Sequence, residues 1–136
     1  MQATADLCDE VSEAEGLRGS WRSYGGRKRF HGAVATVRCF EDNSAVKRGL
    51  EEEGRGRVLL VDGAGATSRA LFGDMMGARA VRNGWAGVVV FGAVRDVAQL
   101  AEMDVGVAAL GTCPRKSNQR GAGETNVPVE INGVVV

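Results

Sequence analysis

The chain has 136 residues, balances 17 Lys+Arg against 17 Asp+Glu, is 44% hydrophobic and carries 20 glycines. That hydrophobic content excludes a disordered chain, and the zero net charge lacks the basic excess of a nucleic-acid or anionic-membrane protein. The length is one domain's worth, and no apolar run reaches the ~18–20 residues of a membrane span.

The opening MQATADLCDE has neither the basic flank nor the apolar stretch of a signal peptide, which points to a cytoplasmic setting. Asp6 is placed to cap a short helix over LCDEVSEAEG. Gly32 to Phe40 is rich in β-branched residues and reads as a strand. Asp42-Asn43-Ser44 then starts a helix that stops by Gly54. Val58 to Val61 is fully apolar, the mark of a strand buried on both faces, and it stops at Asp62-Gly63-Ala64-Gly65. A helical stretch is predicted from Arg69 to Asn83, with Asn83-Gly84 as its stop. A second buried strand runs from Gly87 to Phe91 and ends at Gly92. A short helix, Val97 to Met103, leads to a third, Val105 to Leu110. This alternation with short links predicts parallel strands joined by right-handed crossovers, an α/β fold. Residues 111–126 read as a long polar loop, the kind that is usually functional or an interface element. The closing VPVEINGVVV alternates like a strand, and the chain is expected to be cut short there.

Several chemistries are poorly served by these residues. Cys8, Cys39 and Cys113 are too widely spaced for a CxxC site and read as reduced thiols. One histidine, His31, cannot build a multi-histidine zinc site. Lys28, Lys47 and Lys116 each adjoin an arginine, so none resembles the desolvated amine of a Schiff-base enzyme. The Gly63-Ala64-Gly65 run lacks the third glycine of a dinucleotide fingerprint, since Ser68 stands there, and no P-loop motif is present. Trp21 and Trp85 read as packing residues, and Arg27-Lys28-Arg29 as a solvated turn.

Ligands of open α/β sheets bind beyond the carboxyl ends of the parallel strands. Two segments fall there. Arg95-Asp96 pairs a planar guanidinium fork, suited to a carboxylate or enolate oxygen, with a carboxylate suited to a hard cation. It also reads as an ordinary surface pair capping the next helix. Gly73-Asp74-Met75-Met76 lies where free backbone N–H groups at a helix start could bind an anion. Its glycine also reads as a plain helix-packing residue.

The stretches YGG (24–26), VRCFEDN (37–43), GRGRVLLVDGAG (54–65), RALFGD (69–74), NGWAGVVVFGAVRD (83–96) and DVGVAALGTCPRKSNQRGAGE (104–124) together carry a resemblance. The chain resembles the family of the regulator of ribonuclease E activity A and the 4-hydroxy-4-methyl-2-oxoglutarate aldolases, nearly end to end. Asp74, twenty residues, then Arg95-Asp96 matches the aldolase signature of that family. The resemblance implies a single RraA-like swivelling β/β/α domain over 1–136 with a central parallel βαβ core. It implies a homotrimer, or a dimer of trimers, with sites at subunit interfaces. It implies that Arg95 binds the pyruvoyl part of a small 2-oxo acid substrate and that Asp96 ligates Mg²⁺ or Mn²⁺. Gly73, Asp74, Met75 and Met76 would form the substrate-binding turn, and a water positioned by the metal or by Asp74 would take the C4 hydroxyl proton. Aldol cleavage to pyruvate, with oxaloacetate decarboxylation as a side activity, is the function so implied. The resemblance also implies that members continue past NGVVV, so a truncation at that end is expected. The alternative the family carries is a non-catalytic regulator that binds a ribonuclease. A quinone methyltransferase role finds no nucleoside-binding glycine loop here.

Overall fold

The computed structural model describes residues 21–131 and 134–135. The helix expected behind Asp6 lies outside them. In chain order the elements are β1 (Arg22–Ser23), β2 (Val34–Arg38), α1 (Ser44–Glu51), β3 (Val58–Asp62), β4 (Ala70–Phe72) and α2 (Asp74–Arg82). There follow β5 (Gly87–Val94), α3 (Val97–Leu100), β6 (Gly106–Thr112), β7 (Glu124–Thr125), β8 (Glu130–Ile131) and β9 (Val134–Val135).

The centre is a parallel sheet in the order β6-β5-β3-β2. Antiparallel β1 and β7 close its two edges on β6 and β2. The continuous apolar runs follow from burial on both faces, because successive side chains of a strand point opposite ways. Leu59, Val61, Val88 and Val90 pack with Leu50, Phe72 and Leu100 on the helical side. Val58, Leu60 and Val89 pack on the other side with Trp21, Phe30, Val129 and Ile131. There the Phe30 ring lies where a Cβ on Gly87 or Gly106 would have to be, so both strands keep glycine at that point. Trp21 and Trp85 are buried packing residues, as expected. Cys39 and Cys113 are free thiols, and burial pushes Cys39 up to about 12. Among the described residues no helix is long and apolar enough to cross a membrane.

Four details differ from the sequence expectation. The predicted helix from Arg69 begins only at Asp74, because residues 70–72 form β4 against the end of β5. For the same reason β5 continues through Gly92 to Val94: once β3 leaves its flank, β4 takes the vacated edge. The third helix ends at Leu100 rather than Met103. The long loop contains β7 and is bound down along its length.

Candidate active site

The site forms where β4 and β5 end side by side. Phe72 is paired with Val94, and the Arg95 N–H donates to the Phe72 carbonyl at 2.9 Å. This register sets Gly73 against Arg95-Asp96, although Gly73 and Arg95 are twenty-two residues apart in sequence. Asp96 then adopts a left-handed backbone (φ 57°), which aspartate tolerates better than most residues. Its Oδ2 accepts the Asp74 N–H at 3.1 Å, at the first residue of α2. The carboxylate thus takes up one of the free N–H groups that a helix start offers, where the helix dipole favours negative charge. The Arg95 Nε lies 3.8 Å from the same oxygen.

Gly73 has φ −149°, which any residue adopts, so backbone freedom does not explain it. Space does. A Cβ there would lie 2.7 Å from Asp96 Oδ2 and 3.2 Å from Arg95 Cγ. Gly73 therefore lets the Arg95-Asp96 pair fold over the start of α2.

All six expected residues, Gly73, Asp74, Met75, Met76, Arg95 and Asp96, line one cavity of about 110 Å³. Met76 is buried, whereas Met75 is 79% exposed at the rim. The turn at Asp62-Gly63-Ala64-Gly65 is not part of this lining. There the Asp62 carboxylate accepts the Ala64 N–H at 2.9 Å, closing a local turn.

Sequence reasoning did not find the other wall. Asn43 and Lys47 come from the start of α1, Arg79 from the second turn of α2, and Lys116, Ser117 and Gln119 from the long loop. The loop's length was its only signal. Its position is firmly set. Ser117 Oγ donates to the Ala70 carbonyl at 2.6 Å, and the Arg69 guanidinium donates to the Lys116 carbonyl at 2.9 Å. Buried Asp42 accepts the Ser44 N–H at 2.9 Å and the Arg120 N–H at 2.8 Å. Burial pushes the Asp42 carboxyl up, but hydrogen bonds from Ser44, Arg120 and Ala122 outweigh it and hold it below the usual range. Asp42 so ties the loop to the start of α1.

The lining holds four cationic side chains, Lys47, Arg79, Arg95 and Lys116, against two carboxylates, Asp74 and Asp96. That balance suits a small ligand with two negative charges. Among the described residues no three His, Cys, Asp or Glu side chains cluster as a metal cage. A hard cation such as Mg²⁺ does not need one, since it is held by one or two carboxylates with waters and substrate. The protein contacts of the Asp96 carboxylate run through Oδ2, so a one-carboxylate site for such an ion fits these residues.

Known proteins share this sequence and fold. A relative from Alkalilimnicola ehrlichii, provisionally named a 4-hydroxy-4-methyl-2-oxoglutarate aldolase, is 52% identical over 134 residues, 98% of this chain and 83% of its own length. One from Vibrio parahaemolyticus with the same provisional name is 47% identical, over 98% of this chain and 84% of its own length. The solved structure of the RNA-processing inhibitor RraA from Thermus thermophilis matches with a TM-score of 0.84 at 46% identity, covering 98% of this chain and 81% of that one. A structure described as an S-adenosylmethionine:2-dimethylmenaquinone methyltransferase, from Geobacillus kaustophilus, matches with a TM-score of 0.83 at 43% identity, covering 97% and 83%. The RraA-like family model, Aldolase/RraA, matches residues 4–136. On its mixed sheet, its sequence and that match, the chain belongs to the RraA-like family.

Proposed function

We propose that the chain is a divalent-metal-dependent lyase that cleaves 4-hydroxy-4-methyl-2-oxoglutarate-type substrates to pyruvate and a second 2-oxo acid. The observation that carries this reading is the meeting of the Gly73-Asp74 turn with Arg95-Asp96 in one small, cation-lined cavity. The aldolase names of relatives 47–52% identical support it.

In this reading Arg95 grips the pyruvoyl end through its planar fork. Cleavage breaks the C3–C4 bond. The electron pair stays on C3 as a pyruvate enolate, and the C4 hydroxyl loses its proton as C4 becomes a carbonyl carbon. Arg95 faces the developing enolate charge, and removing one such preorganised donor commonly costs about 10²–10³ in rate. Asp74, half-buried in the lining, positions the water that takes the hydroxyl proton. Asp96 would hold Mg²⁺ or Mn²⁺, which supplies Lewis-acid polarisation of the 2-oxo group when bound. The hydrogen bond from the Asp74 N–H and the left-handed backbone at Asp96 fix that carboxylate in place. Loss of CO₂ from oxaloacetate leaves the same enolate, so decarboxylation of oxaloacetate follows from the same residues. We place the working unit as a cytoplasmic homotrimer with sites near subunit boundaries. The test is metal-dependent release of pyruvate from both substrates.

The second reading is a protein regulator of ribonuclease E-type RNA degradation. The likeness to the Thermus RNA-processing inhibitor favours it. It gives no role to the Asp74, Arg95 and Asp96 set. A purified chain that releases no pyruvate yet captures a ribonuclease would establish it instead.

A further inference from the structure

Two residues that line the cavity each carry a buried polar atom with no hydrogen-bond partner among the described residues: Asn43 Oδ1 and Arg79 Nη1. Buried polar atoms are almost always paired, and leaving one unpaired costs about 1–3 kcal/mol. Arg79 Nη1 is ion-paired with Glu51 Oε2 at 3.7 Å, a separation too long for a hydrogen bond. Asn43 precedes α1 as its capping residue, yet its side chain makes no capping hydrogen bond. Its Nδ2 instead points to Met76 Sδ at 3.9 Å, a weak acceptor. Met76 and Arg79 are three residues apart on α2, so they share one helix face. Asn43 and Arg79 are therefore brought to the same stretch of wall, one offering an acceptor and the other a donor.

We infer that Asn43 and Arg79 form a subsite for a 2-hydroxy carboxylate group, the end of the substrate remote from the pyruvoyl part. On binding, its O–H would donate to Asn43 Oδ1 and its carboxylate would accept from Arg79 Nη1; the amide oxygen is too weak a base to keep that proton, which leaves to the positioned water as the C3–C4 bond breaks. A carboxylate alone does not suit the pair, because the Asn43 oxygen would face a second acceptor. A hydroxyl alone, donating to Asn43 Oδ1, leaves Arg79 Nη1 without an acceptor. A carbon bearing both satisfies both. In the proposed lyase reaction, on which this assignment of the ligand's place rests, C4 of the substrate is such a carbon.

The experiment is equilibrium binding by calorimetry, with Mg²⁺ present, using 2-hydroxybutanedioate and its deoxy analogue butanedioate as probes. A site built to bond a hydroxyl discriminates strongly against the analogue that lacks it. Wild-type protein is expected to bind the hydroxy acid at least tenfold more tightly. Asn43→Ala should erase that preference, and Arg79→Met should weaken both probes tenfold or more. Arg79→Lys, which keeps the charge, should recover part of the loss. Thermal unfolding of each variant confirms that it is folded. Equal binding of the two probes by wild type would assign both atoms to solvent and overturn the inference, and so would variants that bind as wild type does. Pyruvate release from 4-hydroxy-4-methyl-2-oxoglutarate by wild type is measured in parallel. Hydroxy-acid preference without pyruvate release would sink the lyase reading and leave the subsite standing. Pyruvate release without the preference would do the reverse.

Discussion

Gly73→Ala places one methyl group into the contact on which the site depends. The new Cβ would start 2.7 Å from Asp96 Oδ2, where ordinary contact begins near 3.4 Å, so the carboxylate must withdraw by about 0.7 Å. That movement breaks the 3.1 Å hydrogen bond from the Asp74 N–H. Losing a hydrogen bond to a charged group costs about 1.5–3 kcal/mol, and the low end applies because the Asp96 side chain is 30% exposed. Replacing glycine stiffens the unfolded chain and returns about 0.4–1 kcal/mol. The net loss of stability is about 1 kcal/mol, a fall in Tm of roughly 4 °C. The effect on turnover is larger, since a misplacement approaching 1 Å at a reacting group is worth about 100-fold, or roughly 2.7 kcal/mol of barrier. The assay pairs thermal unfolding with kcat/KM for pyruvate release. Activity within threefold of wild type would refute the claim that this glycine sets the position of Asp96. A Tm loss above roughly 15 °C would refute the claim that the clash falls on a movable side chain.

Arg95→Lys keeps the charge but loses the planar fork, and kcat is expected to fall about 10²–10³-fold, measured by pyruvate release at saturating substrate. A variant at wild-type rate would remove Arg95 from the chemistry. Asp42→Asn removes the charge that holds the Ser44 and Arg120 N–H groups, and should cost about 1–3 kcal/mol of stability by urea titration. Asp42 titrates below its ordinary value in the folded chain, so its contribution is present above the unfolded value near pH 4 and is lost as pH falls through the folded one. The wild-type advantage over Asp42→Asn should shrink on acidification below pH 4, and an advantage that grows there would contradict the assignment. Gly106→Ala drives a methyl into the buried Phe30 ring and should destabilise by about 1–3 kcal/mol with little direct effect on the cavity. Unchanged unfolding would show that the ring repacks freely.

The sheet and half of the site were legible in the sequence for one reason. Buried parallel strands write themselves as short apolar runs, and a ligand site follows their carboxyl ends. Val58 to Val61 and Gly87 to Phe91 were read that way, and Gly73 to Met76 and Arg95-Asp96 came with them. Residues 70–72 were read as helix because an apolar triplet just before a helix fits either period. What makes them a strand is the free flank of β5 beyond Phe91, a tertiary fact. The far wall was hidden for a similar reason. Asn43 and Lys116 come from segments far apart in sequence, joined by hydrogen bonds that fasten the long loop to Asp42, Ala70 and Arg69 among others. Arg79 was one arginine among many, and neither its burial nor the unpaired nitrogen can be read from its neighbours in sequence.

The most direct test of the proposed chemistry is pyruvate release by the EDTA-stripped chain with and without added Mg²⁺ or Mn²⁺, run beside Asp96→Ala. The expected result is turnover of 4-hydroxy-4-methyl-2-oxoglutarate that returns with the metal in wild type and is abolished in a folded Asp96→Ala protein. Metal-independent turnover, or full activity in the variant, would contradict the role given to Asp96. No pyruvate from the folded wild-type protein under any metal would contradict the lyase reading itself.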